Sequence, residues 1–69
     1  MSLSIGQKDE MVKEIKNLWP WIDESEVWNV VGTVNEEQHS QFWNIIFHQD
    51  REQLLNFVVR LFSKYAQRV

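Results

Sequence analysis

The 69-residue chain contains no cysteine, one proline, two glycines and no long apolar run. The absence of cysteine excludes disulfides, thiolate zinc sites and cysteine nucleophiles. No apolar run reaches membrane-spanning length, and the N-terminus lacks the basic and apolar regions of a signal peptide. We therefore expect a cytoplasmic protein, or a nuclear one if the organism is a eukaryote.

Without disulfides or a thiolate metal site, a chain of this length lies near the lower size limit for independent folding. Its composition is nevertheless 43% hydrophobic and 13% aromatic, with four Trp and four Phe. Such a chain is too apolar to be disordered. We expect one folded domain over residues 1–69 that is stabilised by apolar burial, by self-association or by a partner.

The net charge of −3 is unevenly distributed along the chain. Residues 1–37 contain eight acidic residues and three lysines, which gives −5, whereas residues 38–69 contain two acidic and four basic residues, which gives +2. An acidic total disfavours a general nucleic-acid binder, because such binding depends on neutralising phosphates. The asymmetry predicts that the two halves attract each other, within one chain or between chains.

Four quartets match the capping-box pattern that marks a helix start, in which Ser, Asp or Asn precedes Glu or Gln by three positions. They are Ser4–Gln7, Asp23–Glu26, Asn35–Gln38 and Asp50–Gln53. An apolar pattern with helical spacing follows each of them. The sequence therefore predicts an all-α fold, a compact array of four short helices forming an irregular or orthogonal four-helix bundle. The predicted ranges are about 5–19, 23–33, 36–48 and 51–67.

Proline and glycine limit the first two predicted helices. Pro20 disfavours helical geometry at Trp19 and predicts that the first helix ends there. Alternatively, Pro20 opens the second helix as its first residue, where proline is favoured. Gly32 predicts the end of the second helix. From the apolar spacing we predict these most buried side chains: Ile15, Leu18, Val31, Phe42, Ile46, Val58 and Phe62.

The sequence shows no catalytic, metal or cofactor motif. His39 and His48 are nine positions apart, too far along one helix to bind a common metal. His48 beside Asp50 suggests an acid–base pair, but a histidine at a helix C-terminus is also favourable electrostatically. The acidic cluster in residues 23–26 suits a helix cap better than a cation site, because acidic side chains in the first turn stabilise the positive end of the helix dipole. We predict a non-enzymatic protein with no cofactor.

The chain has more aromatic residues than the predicted core requires. Four of them lie off the main apolar stripes, namely Trp21, Trp28, Phe47 and Phe57. Exposed apolar patches are typical of binding sites, and Trp is enriched among the residues that dominate interface energy. We therefore predict that these four residues bind a partner.

Three basic residues repeat every four positions on the last predicted helix, namely Arg60, Lys64 and Arg68. This spacing places them on one face as a basic stripe. The stripe suits an acidic partner or phosphates, and it is equally consistent with a solvated helix face. We include all three among the predicted partner-binding residues.

The favoured interpretation is a small protein–protein interaction or adaptor module that binds a protein or peptide, or its own copy as a homodimer. The alternative is a nucleic-acid-associated regulatory domain that uses the basic stripe. Strong salt dependence of nucleic-acid binding would favour the alternative, because released counterions determine that dependence.

Two short segments resemble known families. Pro20-Trp21-Ile22 resembles the signature tripeptide of PWI domains, which are four-helix modules of RNA-processing proteins. The longer segment 18–22 is similar to the first conserved segment of the MLLE peptide-binding domain of poly(A)-binding proteins. In that family a helix with a Met-Leu-Leu-Glu core follows, but residues 30–33 here read Val-Val-Gly-Thr. Neither likeness extends beyond five residues, so the sequence is assigned to neither family.

Overall fold

A computed structural model describes residues 3–67 and contains four α-helices within that range. They are α1 (Ile5–Leu18), α2 (Glu24–Val31), α3 (Glu36–Phe47) and α4 (Arg51–Gln67). The predicted all-α class is confirmed, and every predicted helix agrees with the observed one to within two residues at each end. No β-strand occurs among the described residues.

The first and third helices begin with complete capping boxes. The Ser4 hydroxyl accepts from the Gln7 N–H at 3.2 Å, and the Gln7 side chain accepts from the Ser4 N–H at 2.8 Å. Asn35 and Gln38 form the same reciprocal pair at 2.8 and 3.0 Å. Each such cap contributes about 1 kcal/mol, because it satisfies backbone N–H groups that have no partner within the helix.

Aspartates precede the second and fourth helices. Asp50 accepts from the N–H of Gln53 at 3.1 Å, as predicted. Asp23 accepts from the N–H of Ser25 at 3.2 Å, which is the second helical position. Asp23 is thus the N-cap as predicted. The reciprocal bonds from Glu26 and Gln53, which would complete capping boxes at these two helices, are not formed among the described residues.

A turn that contains Pro20 connects α1 to α2, and a lysine side chain donates hydrogen bonds to its carbonyl groups. Pro20 does not open α2, because that helix begins only after Asp23. Instead, the carbonyl of Trp19 accepts from the N–H of Ile22 at 3.2 Å, which closes a turn with Pro20 as its second residue. The Lys16 ammonium donates to the carbonyl oxygens of Pro20 at 3.3 Å and Ile22 at 2.6 Å. A basic side chain from the end of α1 thus holds the turn.

The chain divides into two compact units between Val34 and Asn35. In the first unit α1 packs against α2, and in the second α3 packs against α4. The single-domain prediction for residues 1–69 stays a prediction. The buried apolar side chains of the first unit are Leu3, Met11, Val12, Ile15, Val27, Val30, Val31 and Val34, and those of the second are Phe42, Val58 and Leu61.

The predicted core is partly correct. The four confirmed members are Ile15, Val31, Phe42 and Val58. The predictions for Leu18, Ile46 and Phe62 are wrong, because these side chains are only half-buried. In α4 the apolar residues cover a wide arc, so spacing alone does not identify the inward face. The structure buries Leu61, which lies three positions after Val58 on the same face, rather than Phe62.

One residue in the turn between α3 and α4 has a left-handed backbone conformation. Gln49 has a φ of 55°, and its N–H donates to the Ile46 carbonyl at 3.0 Å. This conformation disfavours a residue with a Cβ by roughly 1–2 kcal/mol. Gly32, by contrast, ends α2 as predicted but has a right-handed φ of −59°. The position that favours glycine is therefore occupied by glutamine.

We expect Gln49→Gly to raise the free energy of unfolding by roughly 0.5–1 kcal/mol, because glycine adopts this conformation without a steric penalty. The gain is reduced by the greater entropy of glycine in the unfolded chain. Gln49→Ala is the control, and it should change the urea midpoint little, since alanine keeps the Cβ. Equal midpoints for the glycine and alanine variants would contradict the prediction.

Candidate functional site

Trp21 and Phe47 are the most exposed of the predicted partner-binding aromatics, with 78% and 81% of their surface accessible. Trp21 lies in the turn between α1 and α2, where its ring centroid is 6.3 Å from that of Trp19. Phe47 is the last residue of α3, and its ring meets the His48 ring edge-on at 5.5 Å. Both side chains are accessible to a partner.

Trp28 and Phe57 are less accessible, because both side chains are half-buried. The ring centroid of Phe57 lies 6.0 Å from that of buried Phe42, so Phe57 helps to hold α4 against α3. Trp28 lies on the short helix α2 between the buried residues Val27 and Val30. The four predicted aromatics thus divide into two exposed and two half-buried residues.

The helix α4 carries an apolar stripe that is partly exposed. Leu55 and Val59 are one turn apart and have 38% and 49% of their surface accessible. Phe62, which is half-buried, and Ala66, which is exposed, continue the same face. We call these four residues the α4 apolar stripe. The sequence analysis did not single out Leu55, although its four-residue spacing to Val59 was a usable signal.

The basic stripe is exposed where the structure describes it. Arg60 and Lys64 are exposed on α4, whereas Arg68 lies outside the described residues. Among residues 3–67, the ion pair present is Lys13–Asp9 at 3.2 Å on α1. Neither Arg60 nor Lys64 has a carboxylate within ion-pair distance in that range.

A groove runs along the second unit between α3 and α4. It consists of two neighbouring cavities of about 430 and 350 Å³, both of which are lined by Gln41, Phe57 and Arg60. Lys64 lines the second cavity. Six amide side chains line the groove, namely Gln38, Gln41, Asn44, Gln53, Asn56 and Gln67. None of the described lining residues is acidic. We call this feature the α3–α4 groove.

The histidines have structural contacts. Nε2 of His39 accepts from the indole N–H of Trp43 at 2.9 Å, so that nitrogen is occupied by a neighbour on the same helix. His48 is exposed and lies against the Phe47 ring. In the part of the chain that the structure describes, no three His, Asp or Glu side chains are grouped so that they could hold a metal ion. No helix in that part is long and apolar enough to cross a membrane.

Comparisons with known proteins identify no relative: no family model, curated protein or solved structure matches this chain. The short likenesses within residues 18–22 therefore have no counterpart in a family match. Function has to be inferred from the exposed aromatics, the α4 apolar stripe and the α3–α4 groove.

Proposed function

We propose that this chain is a non-enzymatic interaction module that binds a protein partner, or its own copy, through apolar side chains that its helices leave exposed. The observation that supports this proposal is the high exposure of Trp21 and Phe47. Fully burying one such side chain in an interface is worth about 1.5–3 kcal/mol before the costs of association. Each side chain would contribute part of the binding energy, and further contacts would have to offset the rest of the cost of association.

The α4 apolar stripe supports the same proposal. Leu55 and Val59 are separated by one helical turn, which is the spacing of the anchors in helix-in-groove recognition. A partner that covers this face would remove both side chains from water. Trp28 and Phe57 remain predicted contributors, but they have less surface to offer because they are half-buried.

The proposal is for binding and not for catalysis, because the features that support it, Trp21, Phe47 and the α4 apolar stripe, are apolar side chains. We place the module in the cytoplasm, or in the nucleus if the organism is a eukaryote. A protein partner or a second copy is the proposed ligand, without a cofactor or metal.

The exposure of Arg60 and Lys64 favours a second candidate, a nucleic-acid-associated regulatory domain. Two cations contact about two phosphates, which predicts a slope near −2 when the logarithm of the binding constant is plotted against the logarithm of salt concentration. This dependence is much weaker than that of a typical DNA-binding protein. The net charge of −3 opposes this candidate. The candidate would be supported if the slope of log K against log salt concentration is near −2 and changes to near −1 in Arg60→Gln.

Site-specific photo-cross-linking tests the proposed function. The photoreactive amino acid p-benzoylphenylalanine replaces Phe47 in one variant and Trp21 in another, and each protein is irradiated in the cells that express it naturally. Ser40 is a matched control for Phe47, since it is exposed on the same helix, and Asn17 is the control for Trp21.

We expect discrete adducts from positions 47 and 21 and little adduct from the controls, because a partner buries only the interface. Mass spectrometry of the adduct identifies either a second protein or the chain itself. Equal yields at the interface and control positions, or no adduct from either, would contradict the proposal.

A further inference from the structure

The α3–α4 groove is cationic although the protein as a whole is acidic. The chain contains ten acidic and seven basic residues, yet Arg60 and Lys64 are the charged residues among the described groove lining. Neither has a carboxylate partner within residues 3–67. Glu37 is exposed near the start of α3 and does not line the groove. The groove therefore presents uncompensated positive charge beside the half-buried ring of Phe57.

The other lining groups suit a polypeptide ligand. Each Asn or Gln side chain can donate and accept hydrogen bonds, so amides such as Gln41 and Asn44 match the N–H and C=O groups of a backbone. A guanidinium binds a carboxylate through two parallel hydrogen bonds, which makes Arg60 a specific contact for an acidic side chain. An acidic peptide segment satisfies both requirements.

The start of α2 is an acidic segment of this kind. Asp23, Glu24 and Glu26 are all exposed, and none forms an ion pair with a described residue. Asp23 uses one carboxylate oxygen as the helix cap and keeps the other available. Residues 1–34 contain six acidic residues and three lysines, a net charge of −3, so this unit is attracted to a cationic groove.

We propose that the α3–α4 groove binds the acidic start of α2, residues 23–26, from a second copy of this chain. Arg60 and Lys64 pair with the carboxylates of that segment, and the groove amides contact its backbone. Because Phe57, Arg60 and Lys64 are also predicted partner-binding residues, the proposal rests on the function proposed above and names a second copy as the ligand of this groove. Phe47 and the α4 apolar stripe do not line the groove. Because the two contacting surfaces differ, the contact forms either a closed dimer with two such sites or an open series of copies.

The test is charge reversal at both ends of the contact, measured by sedimentation equilibrium from about 10 μM to 1 mM at low salt, where exposed charges are weakly screened. Arg60→Glu alters the groove and Glu24→Lys alters the acidic segment. Arg51→Glu is the control, since Arg51 is exposed on the same helix but does not line the groove. Far-UV circular dichroism checks that each variant is folded.

We expect the wild type to associate at low salt and less at high salt. Arg60→Glu and Glu24→Lys should each weaken association about tenfold, and an equimolar mixture of the two should restore it, because the reversed charges pair again. Arg51→Glu should associate like the wild type. The restoration in the mixture is specific to direct pairing and does not follow from a change in net charge.

Three results would overturn the proposal. The first is a wild type that stays monomeric at about 1 mM in low salt, and binding of a glutamate-rich peptide by that monomer would indicate a different acidic partner. The second is a mixture that does not associate more strongly than its components. The third is an equal loss in Arg51→Glu, which would indicate general repulsion. Phe47 does not line the groove and lies outside residues 23–26, so an adduct between position 47 and a different protein would still support the proposed function if this proposal failed.

Discussion

Replacing Phe42 with alanine is expected to lower the free energy of unfolding by about 3–5 kcal/mol. The Phe42 side chain is fully buried, and its ring meets Trp43 edge-on at 5.4 Å and Phe57 at 6.0 Å. Alanine would leave a cavity and remove both ring contacts. A chain of this length has a total stability of only about 3–10 kcal/mol. The loss is therefore a large share of the total stability, and the variant should unfold at a much lower urea concentration than the wild type.

Phe47→Ala is the matched control, because it makes the same change on the same helix at a largely exposed side chain. We expect its stability to change by less than about 0.5 kcal/mol. Urea denaturation followed by far-UV circular dichroism measures both variants. If Phe42→Ala and Phe47→Ala unfold at the same urea concentration, the description of the α3–α4 core is incorrect.

The second large effect is expected in α1, where Ile15→Ala should lower the free energy of unfolding by about 2–5 kcal/mol. Ile15 has no accessible surface, and Met11 and Val12 on the same helix are also buried. The truncation removes apolar contacts, and the surrounding side chains fill the cavity only in part. The milder change Ile15→Val should cost about 0.5–1.5 kcal/mol, which gives a graded series at one position.

Ile5→Ala provides the matched control for α1, since Ile5 begins the same helix with 76% of its surface accessible. Its effect should stay within about 0.5 kcal/mol. Thermal unfolding of the three isoleucine variants should rank Ile15→Ala well below Ile15→Val and Ile5→Ala. A melting temperature for Ile15→Ala that equals that of Ile5→Ala would contradict the assignment of Ile15 to the core.

The helix starts were predictable because their causes are local. Ser4 and Asn35 each bond a residue three positions later, so the determinant and its partner lie in one quartet. The cap at Asp23 is also local, since its bond reaches only two residues along the chain, to the N–H of Ser25. The sequence could not predict the left-handed conformation of Gln49, because glutamine has no preference for it.

The inward face of α4 was not predictable from spacing. Its apolar residues cover so wide an arc that a face with Leu61 and a face with Phe62 both have helical spacing. Packing against α3 decides between them, and it buries Leu61. The same packing leaves Leu55 and Val59 partly exposed, so the spacing of these residues was visible in the sequence but their exposure was not.

The candidate site shows the same division. The number of aromatics indicated a surplus, but only the folded chain shows that Trp21 and Phe47 are exposed while Phe57 packs against Phe42. The basic stripe followed from its spacing along one helix. The α3–α4 groove did not, because its amides come from two helices and only their packing determines which faces meet.

The sequence by itself determined the all-α class, the four helix starts and the positions of the basic residues along α4. These features depend on interactions between residues three or four positions apart, and both partners can be identified in the sequence. The tertiary structure alone decided which apolar side chains are buried, which remain exposed and which polar groups share a groove. Those properties depend on contacts between helices, and a chain with more apolar residues than its core can bury allows several such arrangements until the helices pack.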